Sequence, residues 1–122
     1  MRIGRVAKLS GLTVKAVRFY EETGLLGEVL RRGSYRDFTA ADVDRLKLIT
    51  HCRGLGFSVA DIQGIVGLLE NSEGACPDAA AMLHVVRTRR RSVAADLKLL
   101  GDQHEQLLSA ERYLELRVEG RA

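Results

Sequence analysis

The C-terminal third of the chain sets the strongest constraint. Met82, Val86, Val93, Leu97, Leu100, Leu107, Leu114 and Val118 follow one another at intervals of 4, 7, 4, 3, 7, 7 and 4 residues. Intervals built from threes and fours place these side chains in one stripe along a helix. Arg89 or Arg90, His104 and Glu111 complete the stripe at its polar positions, and Gly101 is the one glycine within it. The spacing predicts a helix of about 40 residues, roughly 60 Å long at the α-helical rise. A chain of 122 residues has too little mass to cover such a rod. Its apolar stripe is therefore expected to meet a second copy in an antiparallel homodimer. Met82, Val86, Val93, Leu97, Leu100, Leu107 and Leu114 would form the interface.

The rest of the chain reads as a small helical head. Apolar residues make up 46% and charged residues 29%, a balance that folds rather than stays disordered. One proline and 5% aromatics argue against an all-β domain. No apolar run is long enough to span a membrane and no secretory signal is evident, so a cytoplasmic location is expected. Charge is uneven. Residues 1–58 hold 11 Lys and Arg against 6 Asp and Glu, and residues 59–122 hold 8 against 10. The basic half is the candidate face for nucleic acid.

Within that half, "IGRVAKLSG" places Ile3, Val6, Ala7 and, less regularly, Leu9 on one side of a short helix that Gly11 can end. Thr13 is a suitable N-cap for a second helix over 14–22, with Val14, Val17 and Tyr20 or Glu21 on its inner side. Two short helices joined by a tight glycine-containing turn make a helix-turn-helix. "GEVLRRGSYRDFT" then reads as a short hairpin, or wing. Thr39 caps a third helix, whose inner face runs through Val43, Leu46, Ile49 or Thr50, and Arg53 or Leu55. Ser58 with Asp61 opens a fourth in a near capping box. The head spans 1–72 and the long helix 73–122.

The ordered pieces "IGRVAKLSGLTVKAVRFYEETGLL", "SYRDFTAADVDRLKLI" and "RGLGFSVADIQGIVGLL", followed by a long helix, resemble the MerR family of bacterial transcription regulators. The resemblance covers essentially the whole chain. It implies a mainly α fold, a winged helix-turn-helix with an antiparallel coiled-coil dimerisation helix. It also implies binding to a near-palindromic operator in promoter DNA, with distortion of the duplex that aligns the promoter for RNA polymerase. Lys15, Arg18 and Tyr20 on the second helix are the candidates for the major groove, and Arg31, Arg32, Tyr35 and Arg36 for the backbone beside it. Phe19 is expected to pack inward, with Glu21 and Glu22 holding neighbouring arginines. The wing departs from the family pattern: Ser34 stands where a glycine is usual, and Gly33 is placed to make the turn one position earlier.

No catalytic constellation or phosphate loop is present, so the chain is not read as an enzyme. No cofactor is expected. Many members of the family sense metals through cysteines at the dimer interface, and Cys76 matches the first such position. With no further cysteine after it, a metal site would need His84, His104 or Glu111 as well, and a thiolate site for a soft metal normally needs more sulfur. A thiol response at Cys76 and a DNA-architectural or mobile-element role are the alternatives. Cys52 reads as a buried, inert thiol. "RTRRR", Arg87 to Arg91, reads as a solvated face, with anion or partner binding as the alternative.

Overall fold

The computed structural model describes residues 1–70 and 79–121. They belong to two units, Met1–Ala79 and Ala80–Ala122. The first contains α1 (Ile3–Ser10), α2 (Val14–Glu22), a hairpin of β1 (Arg31–Arg32) and β2 (Tyr35–Arg36), α3 (Ala40–Gly54) and α4 (Val59–Glu70). The second is α5 (Ala79–Val118). The expected boundary at residues 72 and 73 lies outside the described residues, as does Cys76.

Local chemistry sets the helix ends. Gly11 takes φ 75°, a left-handed conformation that a side chain would resist, and turns the chain out of α1. Two residues later the Thr13 hydroxyl accepts from the Ala16 N–H at 3.1 Å and starts α2. At α3 the Thr39 N–H donates to Asp42 Oδ2 at 2.8 Å while the Asp42 N–H donates to Thr39 Oγ1 at 3.2 Å. Ser58 and Asp61 repeat this reciprocal pair at α4. Each box satisfies two backbone donors that the first helical turn leaves without partners.

The core of the head draws on every helix of that unit. Val6, Val17, Leu25, Phe38, Leu46, Ile49 and Ile62 are fully buried, with α1 packed on α2 and α3, and α3 on α4. The inner stripe of α1 runs through Val6, Ala7 and Ser10 rather than Leu9, which is exposed. Spacings of three and four keep Ser10 in the stripe and put Leu9 beside it. Buried Ser10 keeps its hydroxyl satisfied by donating to the Val6 carbonyl at 2.8 Å. On α3 the inner face is Val43, Leu46, Ile49 and Cys52. Thr50, Arg53 and Leu55, offered as alternatives from the sequence, are exposed. Periodicity alone does not choose among them, since steps of three and four both depart from the 3.6-residue turn; the packing of α3 against α1 and α4 does.

Long-range hydrogen bonds tie the head together. Arg45 donates to the Leu25 carbonyl and to Glu70, the last residue of α4. Gln63 donates to the Thr23 carbonyl at 3.0 Å, linking α4 to the end of α2.

The second unit is one helix of 40 residues that buries none of them. Leu97, Leu100 and Leu107 of the expected stripe are 70%, 62% and 67% exposed. Among the described residues no helix is long and apolar enough to cross a membrane.

The core assignment predicts a contrast measurable by urea unfolding followed by circular dichroism. Leu46→Ala should cost about 2–5 kcal/mol, the range for a buried leucine truncated to alanine. Leu9→Ala, on the exposed side of α1, should stay within about 0.5 kcal/mol.

Candidate nucleic-acid interface

Val17 orients α2. It is buried on the head, so the stripe at Lys15, Arg18, Phe19 and Glu22 must face away from the core, and all four are exposed. Phe19 therefore does not pack inward as the sequence suggested. It is 48% exposed and lies against Tyr20, which is half-buried, with ring centroids 5.4 Å apart and planes tilted by 60°. The signal for Phe19 was present: it stands four residues after Lys15 and three before Glu22. Among the described residues Lys15 and Arg18 make no hydrogen bond or ion pair. Their charges are presented to whatever approaches α2.

The wing stands beside this stripe. Arg31 pairs with Arg36 and Arg32 with Tyr35 across the hairpin. Gly33, at φ 63°, makes the turn, as the displaced glycine suggested, and Ser34 takes an ordinary conformation. The Asp37 N–H donates to the Leu30 carbonyl at 2.8 Å and extends the pairing by one step. The hairpin thus sends Arg31, Arg32 and Tyr35 outward.

Two connections hold the wing. Arg36 donates through Nε to Glu21 in an ion pair that joins β2 to α2, with both side chains partly buried. This is the carboxylate role expected of Glu21, and it engages one nitrogen of the Arg36 guanidinium. The second connection was not legible in the sequence. The Met1 ammonium donates to Asp37 Oδ1 and to the Phe38 carbonyl, both at 2.7 Å. The Phe38 N–H returns a bond to the Met1 carbonyl at 2.8 Å. Arg2 then stacks over the Tyr35 ring, 3.9 Å from its centroid. The first two residues thereby act as a strap along β2. A cavity of about 540 Å³ opens between α1, α2 and the wing, lined by Arg2, Arg18, Glu22, Ser34 and Tyr35 among others.

The ammonium beside Asp37 lowers that carboxyl's pKa from its ordinary 3.8, first through the hydrogen bond and then through charge, with Arg32 adding to it. Burial pushes the Cys52 thiol up, in keeping with an inert side chain on the inner face of α3. His84, His104 and Glu111 are spread along α5. Among the described residues no three ligand-type side chains gather into a metal site. These residues of a single chain do not fit a metal ion.

Comparison with known proteins agrees with this fold. A family model described as "MerR HTH family regulatory protein" matches residues 1–68, and one described as "MerR, DNA binding" matches residues 43–110. The chain is 38% identical over 78 residues to the HTH-type transcriptional regulator HmrR of Rhizobium leguminosarum bv. viciae, covering 64% of this chain and 60% of that protein. It is 36% identical over 97 residues to heavy metal-dependent transcription regulator 2 of Rhizobium meliloti strain 1021, covering 77% and 66%. The chain thus spans just under two thirds of the length of these relatives. Among solved structures it is similar to the transcription regulator PbrR691 of Ralstonia metallidurans CH34 in complex with lead(II). The TM-score is 0.81 at 29% identity, over 92% of this chain and 86% of that one.

The strap predicts a pH dependence. A carboxyl whose folded pKa is lowered stabilises the fold above its unfolded value and loses that contribution as pH falls through the folded one. Wild type should therefore be more stable than Asp37→Asn at pH 6, and the difference should close on acidification below about pH 4, the ordinary carboxylate range. Urea unfolding at a series of pH values measures it. An Asp37→Asn variant as stable as wild type at pH 6 contradicts the strap.

Proposed function

Because the chain belongs to the MerR family of helix-turn-helix regulators, we propose that it is a sequence-specific transcription regulator. It binds a near-palindromic promoter spacer as an antiparallel homodimer and distorts it in response to an effector. One observation carries the reading: α2 holds Lys15 and Arg18 outward, without partners among the described residues, beside a wing locked to the same helix by Arg36 and Glu21.

The chemistry follows from that arrangement. A rod about 10–12 Å across, side chains included, suits the major groove, which admits an α-helix. Arg18 is placed to fork onto a guanine edge or a phosphate, Lys15 to meet a phosphate, and Tyr20 to donate from its hydroxyl. Arg31, Arg32, Tyr35 and Arg36 follow the sugar–phosphate backbone alongside. Phe19, exposed next to Arg18, offers an apolar surface to a thymine methyl. The two copies, joined along α5 through Met82, Val86, Val93, Leu97, Leu100, Leu107 and Leu114, hold two such heads at a set separation. That separation selects two half-sites and favours a bent, untwisted duplex over a straight one. RNA polymerase is then the partner that reads the altered promoter, and the protein acts in the cytoplasm.

The relatives' names favour a metal ion as effector. On this second reading Cys76, outside the described residues, supplies the thiolate.

Arg18→Ala should weaken binding to the promoter DNA flanking its own coding region by about tenfold to a hundredfold at fixed salt, corresponding to about 1–3 kcal/mol. Circular dichroism should be unchanged. Equal affinity in a folded variant removes Arg18 from the interface. On the metal reading, Cys76→Ser should abolish induction by heavy metal ions in a reporter assay while leaving operator affinity intact. An unaltered response excludes Cys76 as the sensor.

A further inference from the structure

Arg87, Arg89, Arg90 and Arg91 crowd little more than one turn of α5, and the regulatory reading above gives them no task. They belong to a wider polarity of the helix. Residues 79–98 hold five basic side chains and one acid, Asp96. Residues 99–118 hold the acids Asp102, Glu105, Glu111 and Glu115 and the bases Arg112 and Arg117.

This order is unfavourable in a helix standing alone. Opposite charges stabilise a helix when they lie three or four residues apart, and like charges at those spacings destabilise it. Arg87, Arg90 and Arg91 have no acid at either spacing along the helix, and Arg87 stands three residues from Arg90 and four from Arg91. Glu111 and Glu115 stand four residues apart, with Arg112 three before Glu115, while Glu119 beyond the helix pairs with Arg121 at 3.2 Å. The stripe itself carries one intrusion of each sign: Arg90 between Val86 and Val93, and Glu111 between Leu107 and Leu114. A charge in an apolar seam is tolerated when its partner arrives with it and costly when none does.

We propose that these charges are matched between copies. The arginine run of one α5 lies against the acids in the second half of another copy's α5, so that the helix selects an antiparallel partner with its own charge order. The inference rests on the dimer proposed above and adds what chooses the partner. A two-fold axis anywhere between Leu97 and Leu100 reflects residues 87–91 onto residues 103–113 of the second copy. That stretch contains Glu105 and Glu111 and is flanked by Asp102 and Glu115; Arg112 is its one base. A parallel pair would set the arginine run against itself. A helix with another charge order would leave Arg90 or Glu111 unmatched in the seam.

Two full-length variants test it: Arg87→Glu/Arg90→Glu/Arg91→Glu, and Glu105→Lys/Glu111→Lys/Glu115→Lys. Sedimentation equilibrium at about 50 mM salt should show the dimer dissociation constant of each variant alone raised about tenfold or more. An equimolar mixture should return to wild-type affinity as a heterodimer. At about 1 M salt, where exposed charges are screened within a few ångström, the differences should shrink. Variants that self-associate like wild type, or a mixture that fails to recover, overturn the charge match while leaving the dimer standing. A wild-type chain that sediments as a monomer overturns the dimer itself. Should the triple variants misfold, Arg90→Gln/Arg91→Gln gives the same answer. Its dimer should lose part of the salt dependence of wild type, and an unchanged salt dependence overturns the proposal.

Discussion

An apolar stripe some 60 Å long, on a helix that buries none of its own residues, is the constraint from which the rest of this molecule follows. Water exacts a free-energy cost for every exposed leucine along it, and Leu97, Leu100 and Leu107 are each about two-thirds exposed. A stripe of that length has no counterpart in the chain's small head. The proposed pairing with a second copy would remove the cost, and a pair of copies is also what a two-fold DNA site requires. On the proposed reading, the same helix links the stability of the protein to the geometry of a DNA target.

The head works by rigidity rather than by size. The helix proposed to read DNA, α2, has only nine residues, too few to persist alone in water. Burial of Val17 against the core, the Thr13 cap and the Glu21–Arg36 ion pair keep it in place. Glu21 has two consequences at once. It neutralises one nitrogen of a wing arginine and it sets the wing's position relative to α2, so that Arg18 and Tyr35 line one cavity. A wing free to swing would present the same charges with a larger entropic loss on binding.

Charge is distributed with the same economy. The head carries the excess of basic residues suited to a polyanion, while α5 separates its charges into a basic first half and an acidic second half. On the readings proposed here, one pattern addresses DNA and the other a second copy.

Much of this was legible in the residues themselves. Gly11, Gly33, Thr13, the Thr39–Asp42 and Ser58–Asp61 boxes and the heptad intervals act within a few residues of chain, so the order and extent of the helices, the wing and the exposed seam could be read from their spacing. Other features join residues far apart in sequence. The strap from Met1 to Asp37 closes a separation of 36 residues and the Arg36–Glu21 pair one of 15. Cys52, and not Thr50 or Arg53, completes the buried face of α3 because of how that helix is rotated against α1 and α4. Local rules of capping and periodicity name which residues form an element; the rotation of each element, and so which side chains meet, is set by packing against neighbours that arrive from elsewhere in the chain.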